Sequence, residues 1–110
     1  SYLGMSKFDY AINDFTRAIE LDSAFANAYS LRGTCYTFLN QNEKAIDDYS
    51  KVIELEPNDE KAYFNRCHVF YDMKMYNEAL KDVNKALAIN PNYEKALIGK
   101  KMILESMKNR

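Results

Sequence analysis

The 110-residue sequence predicts an all-α fold, an α-solenoid of antiparallel helix pairs with about six helices. Three observations predict it. The sequence repeats itself at an interval of 34 residues. Within each half of that interval, apolar side chains recur at i, i+4 and i+7, one face of a helix. Only three glycines and two prolines are present, and the chain is rich in Ala, Leu, Glu, Lys and Met, residues that favour helix over strand.

The repeat is visible by direct superposition. Residues 11–22, AINDFTRAIELD, lie over AIDDYSKVIELE at 45–56 and over ALKDVNKALAIN at 79–90. Ala11, Ala45 and Ala79 share one phase, as do Asp14, Asp48 and Asp82, and Arg17, Lys51 and Lys85. Pro57 and Pro91 share another, with Ser23 in the earlier slot. Upstream, AYSLRGTCY at 28–36 lies over AYFNRCHVF at 62–70.

The elements follow in order. Residues 1–25 form a partial repeat, mainly its second helix over 7–22, and Tyr2 stands where Tyr36 and Phe70 stand later. Residues 26–59 are a complete repeat. Its first helix carries Tyr29, Gly33 and Tyr36 on one face, and its second carries Ala45, Tyr49, Val52 and Ile53. Asn40-Gln41-Asn42 separates the two. Pro57-Asn58-Asp59 ends the unit, because proline cannot continue a helix and disfavours helix before it. Asn58 or Asp59 then caps the next helix. Residues 60–93 repeat the plan with Tyr63, Cys67, Phe70, Ala79, Val83, Ala86 and Leu87. Residues 94–110 are a closing helix over 94–108, with Lys100, Lys101, Glu105, Lys108 and Arg110 expected to make its outer face polar. Short loops make successive helices antiparallel neighbours. All 110 residues read as a single domain. Arg32 and Arg66 fall between inward-facing residues, and Asp48 and Asp82 are expected to pair with them, between or within repeats, while the arginine stems pack on apolar neighbours.

This pattern resembles the tetratricopeptide repeat. The first full unit matches its signature with Tyr29, Gly33, Tyr36, Ala45, Tyr49 and Pro57. The second matches with Tyr63, Phe70, Ala79, Val83 and Pro91. Arg32 and Arg66 depart from it where leucine is common, and Cys67 replaces the glycine. The resemblance implies a right-handed solenoid whose first helices line a concave face, and a function as a protein–protein interaction scaffold. Helical phase then selects a partner-binding face of Asn27, Ser30, Leu31, Thr34 and Phe38; Lys61, Phe64, Asn65, His68 and Asp72; and Lys95, Ile98, Gly99 and Met102. Such a mixed surface suits an extended or helical peptide. Some members of the family grip the C-terminal carboxylate of heat-shock chaperones with two lysines, two asparagines and a further cation. Here Asn65 and Lys95 match that set. Ser30, Thr34 and Gly99 do not, although Lys100 is adjacent to Gly99. A carboxylate clamp is therefore not expected.

Composition excludes several other classes. Hydrophobic residues at 47% and charged residues at 28% indicate a folded chain. A net charge of −1 argues against a strong basic field for nucleic acid. No apolar run approaches the ~20 residues of a membrane span, and no secretory signal is evident. Cys35 and Cys67 lack the spacing of a zinc site or a disulfide scaffold, so two buried thiols and a cytoplasmic setting are expected. His68 has no nucleophile or metal partner at helical spacing, so no enzyme activity, metal or cofactor is expected. The register implies a fragment of a longer array. The competing account is a structural segment that forms a homo-oligomer through Phe8, Ile12, Phe15 and Ile19 on the N-terminal helix.

Overall fold

A computed structural model describes residues 7–109. Tyr2 and Arg110 lie outside the described residues. Six helices follow one another with no strand among the described residues: α1 (Lys7–Leu21), α2 (Ala26–Phe38), α3 (Asn42–Leu55), α4 (Glu60–Asp72), α5 (Tyr76–Ile89) and α6 (Glu94–Lys108). They group into two compact units, residues 1–57 and 58–110.

In the first unit the helices run antiparallel, and three residue pairs set the register. Phe8 stacks on Phe38 with ring centroids 5.0 Å apart, while Arg32 of α2 donates to Thr16 Oγ1 of α1 at 3.1 Å. The Lys44 ammonium of α3 lies 5.7 Å from the Tyr36 ring centroid of α2. Ala45 is fully buried, and Tyr49 and Val52 nearly so. A small side chain at 45 lets the α2 and α3 backbones approach, and Gly33 does the same from the other side. A Cβ on Gly33 would stand 3.0 Å from Tyr49 Cε1 and 3.3 Å from Asp48 Cβ.

The second unit repeats the arrangement. Ala79, Val83 and Ala86 of α5 are fully buried, and Tyr63 and Cys67, one turn apart and both buried, supply the matching face of α4. Here α6 packs on α5 and also meets α4. Gly99 faces Phe64, and the Tyr71 hydroxyl shares a 2.9 Å hydrogen bond with Ser106 Oγ. Because 64 pairs with 99 and 71 with 106, α4 and α6 run parallel.

The arginine–aspartate pairs form within each repeat. Arg32 Nε and Nη2 donate to Asp48 Oδ2 and Oδ1 at 2.8 and 2.7 Å. Arg66 repeats this on Asp82 at 2.7 Å for both bonds. Each guanidinium also lies 5.7–5.9 Å from two ring centroids, Tyr29 and Tyr36 for Arg32, Tyr63 and Phe70 for Arg66. Asp48 and Asp82 are buried, so these are desolvated two-bond pairs rather than the weak surface pairs common on helices. Hydrogen bonding to the carboxylate, partly opposed by burial, raises the pKa of each arginine above its ordinary value.

The chain breaks also repeat. At the end of α2, the Gln41 N–H donates to Tyr36 O at 2.9 Å and the Asn40 N–H to Thr37 O at 3.1 Å. At the end of α4, Met75 donates to Phe70 O and Lys74 to Tyr71 O, both at 2.9 Å. This is a Schellman stop, with Asn40 and Lys74 left-handed at φ 62°. Asp59 caps α4 by accepting the Lys61 N–H at 3.0 Å.

The outer face of α6 departs from expectation. Lys100, Lys101, Glu105 and Lys108 lie there, but so do Leu97 at 49% and Leu104 at 46% exposure. The reason is register. Leu97 and Leu104 hold the phase of Tyr63 and Phe70, positions that face the following helix in α4. The face is therefore mixed rather than polar.

Candidate peptide-binding surface

The face selected from helical phase divides by unit. In the first unit, Asn27, Leu31 and Phe38 are exposed, while Ser30 and Thr34 are half-buried. Thr34 is committed internally. Its Oγ1 donates to Ser30 O at 3.0 Å and shares a 2.9 Å bond with the Tyr49 hydroxyl. Phe38 is 65% exposed, yet one side of its ring is stacked on Phe8. A candidate groove residue and a candidate self-association residue thus form one aromatic pair. Phe8, Ile12, Phe15 and Ile19 are all half-buried rather than bare, because α2 packs along α1. Among large apolar residues of α1, Tyr10 and Leu21 are the exposed ones.

In the second unit the face closes around a cavity of about 390 Å³ between α4 and α6. Phe64, His68 and Asp72 line it from α4, and Lys95, Ile98, Gly99 and Met102 from α6. Lys61 and Asn65 do not line it. Cys67, Tyr71 and Ile103 complete the wall. Phase on a single helix points these three inward, and only the mutual offset of α4 and α6 brings them to the cavity floor.

The chemistry of the cavity is apolar at its centre and charged at its ends. Phe64, Ile98, Met102 and Ile103 supply hydrocarbon and thioether surface. Phe64 is held from outside by Tyr93, with ring centroids 5.5 Å apart. Burial pushes the Cys67 thiol up to about 12, so it presents a neutral S–H. His68 Nδ1 lies 3.5 Å from Asp72 Oδ2 one turn along α4, and both side chains are about half exposed. Among the described residues, no group of three or more His, Cys, Asp and Glu side chains is placed to hold a metal ion. No helix there is long and apolar enough to cross a membrane.

Comparison with known proteins agrees with this architecture. The tetratricopeptide-repeat family model matches residues 26–59 and 60–93. The search of curated protein sequences gave no match. Among solved structures, the chain is similar to the TPR domain of Arabidopsis OM64, at 28% identity and a TM-score of 0.83, over 88% of this chain and 80% of that one. It is similar to the second TPR domain of human RPAP3, solved in complex with the HSP70 peptide SGPTIEEVD, at 28% identity and a TM-score of 0.84, over 88% and 81%. The first TPR domain of human RPAP3 shares the fold at 24% identity and a TM-score of 0.89, over 94% and 81%. With two matched repeats spanning more than half its length and helix pairs packed as those relatives pack theirs, the chain belongs to the tetratricopeptide-repeat family.

Proposed function

We propose that the chain is a protein–protein interaction scaffold that holds a peptide segment or partner protein, in the second unit on the facing surfaces of α4 and α6. The observation that carries this reading is the α4/α6 cavity. Seven of the residues selected from phase line it, and it offers a concave apolar centre with a few polar groups, the usual form of a ligand site. Human RPAP3, a relative at 28% identity, holds a peptide in its solved complex, which supports the same role here. The role is binding without catalysis. His68, the only histidine in the sequence, sits exposed beside Asp72 on its own helix. No role in nucleic-acid binding is proposed, in keeping with the net charge of −1. Two buried free thiols support a cytoplasmic setting.

The test is selection from a displayed library of random peptides, followed by titration of the enriched sequences against the chain and against Ile98→Glu. Ile98 is 61% exposed, so the substitution leaves the core intact. Saturable binding that Ile98→Glu abolishes supports the reading. No enriched binder, or binding indifferent to Ile98→Glu, removes it.

A second reading is self-association through α1, favoured by one observation: among the described residues, α1 has none that is fully buried. Sedimentation decides it, since a strictly monomeric particle at every concentration rules it out. Phe8 is a poor probe, because its stacking on Phe38 ties it to the other face.

A further inference from the structure

We propose that the α4/α6 cavity reads an internal peptide segment, one bulky apolar side chain flanked by an acidic residue on one side and a basic residue on the other, and not a C-terminal carboxylate. This rests on the peptide-binding reading above and names the ligand chemistry of that site.

The centre of the cavity has no charge to offer a carboxylate. Its walls are Phe64, Ile98, Met102 and Ile103. Gly99 opens it. A Cβ at that position would stand 3.3 Å from Phe64 Cε1, so any larger side chain would project into the space an anchor needs. A leucine, isoleucine, methionine or phenylalanine side chain fits a cavity of about 390 Å³. An isolated carboxylate against those four side chains would lose hydration with no hydrogen-bond partner among them.

Charge sits at the two ends, with opposite sign. The pairings of 64 with 99 and 71 with 106 set α4 and α6 parallel. Lys95 is then level with the first turn of α4, while Asp72 ends that helix. Twelve residues of helix separate those levels, about 18 Å at 1.5 Å per residue. Lys95 is exposed and lines the rim. At the other rim, Asp72 is joined among the described residues by His68 at 3.5 Å and is about half exposed, leaving carboxylate surface for an incoming cation. An extended peptide rises about 3.3 Å per residue, so its two charged residues stand roughly five to six positions apart, with the anchor midway.

The experiment is an amide-shift titration of the isotope-labelled chain with a blocked peptide, acetylated and amidated. The peptide carries glutamate and arginine at its ends and leucine at its centre, with serine elsewhere, and is made in both chain directions. We expect saturable shifts at Gly99 and Met102 for one direction. Replacing the leucine by alanine should weaken binding about tenfold or more, as for a buried anchor. Lys95→Glu should weaken it about threefold, the scale of an exposed pair, and a peptide with lysine in place of glutamate should recover the loss. Gly99→Leu, which fills the cavity while favouring helix, should abolish the shifts. The comparator is SGPTIEEVD, with its C-terminus free or amidated. Carboxylate-dependent binding of that peptide at Gly99 overturns the proposal and leaves the peptide-binding reading standing. So does failure of the blocked peptide to saturate while library-selected peptides bind. If no peptide binds, both fall together.

Discussion

Gly33 lies against the ring of Tyr49 so closely that a methyl group in its place would stand 3.0 Å from Cε1 and 3.1 Å from Cζ. The corresponding pair in the next repeat is Cys67 and Val83, both buried. One repeat puts a large residue on the second helix and none on the first; the other divides the volume between them. Ala in place of Gly within a helix ordinarily stabilises by about 1 kcal/mol. At Gly33 the gain should vanish, because the Tyr49 ring is buried and its hydroxyl is tied to Thr34. In a Tyr49→Val background, Gly33→Ala should regain its stabilisation, a coupling of about 1 kcal/mol in a double-mutant cycle read by urea unfolding. Equal effects in both backgrounds would mean that the two side chains do not share this space.

That pair shows where sequence reasoning reached and where it stopped. The 34-residue register placed Gly33 over Cys67 and Tyr49 over Val83, and a repeat can be read because each copy solves the same packing problem. The arginine–aspartate pairing was legible for the same reason, since charges recur at a fixed phase on both helices of each unit, but whether the pairs form within or between repeats was not; they form within. Contacts that depend on the offset between helices were not legible. Phase places Thr34 and Phe38 on the outward side of α2, but not the bond from Thr34 to Tyr49 or the stacking of Phe38 on Phe8. The α4/α6 cavity belongs to the same class, since its floor of Cys67, Tyr71 and Ile103 exists only once two helices are set side by side.

Asp48 is buried and its two carboxylate oxygens are both taken by Arg32. Arg32→Met should therefore destabilise by about 3 kcal/mol, mostly by leaving a buried charge without its partner. Replacing both residues, Arg32→Met with Asp48→Leu, should recover most of that loss, since two apolar side chains of similar size suit the same space. Urea midpoints for the wild type, the single variant and the double variant test this. A double variant no more stable than Arg32→Met would show that the pair stabilises the fold beyond mutual neutralisation.

Lys74 occupies a left-handed backbone position at φ 62°, where Asn40 stands in the preceding repeat. Asparagine tolerates that region; a lysine Cβ is crowded against the carbonyl, at about 1–2 kcal/mol. Lys74→Gly should stabilise by about 0.5–1 kcal/mol after the extra freedom of the unfolded glycine is set against the relief. Lys74→Ala should give no such gain, since its Cβ meets the same carbonyl. Thermal unfolding of the two variants side by side checks the assignment: a gain for both would place the benefit in the lost charge.

Burial pushes the Cys67 thiol from an ordinary value of 9.0 up to about 12. In the native protein it stays protonated where the unfolded chain would already have lost the proton. Between pH 9 and 12 the native state binds more protons than the unfolded state, so stability must fall as pH rises through that window. Tyr49 and Tyr93 are also raised by burial, and they contribute in the same direction at higher pH. Cys67→Ala separates the thiol from the tyrosines. The wild-type urea midpoint should decline more steeply above pH 9 than that of Cys67→Ala, while the two run parallel below pH 8. At neutral pH the same burial makes Cys67 slow to react with a thiol reagent, and the logarithm of the labelling rate should rise linearly with added urea. Fast labelling of Cys67 in native buffer, with Cys35→Ala removing the other thiol, would contradict a thiol only 2% exposed and would predict a flatter pH profile as well.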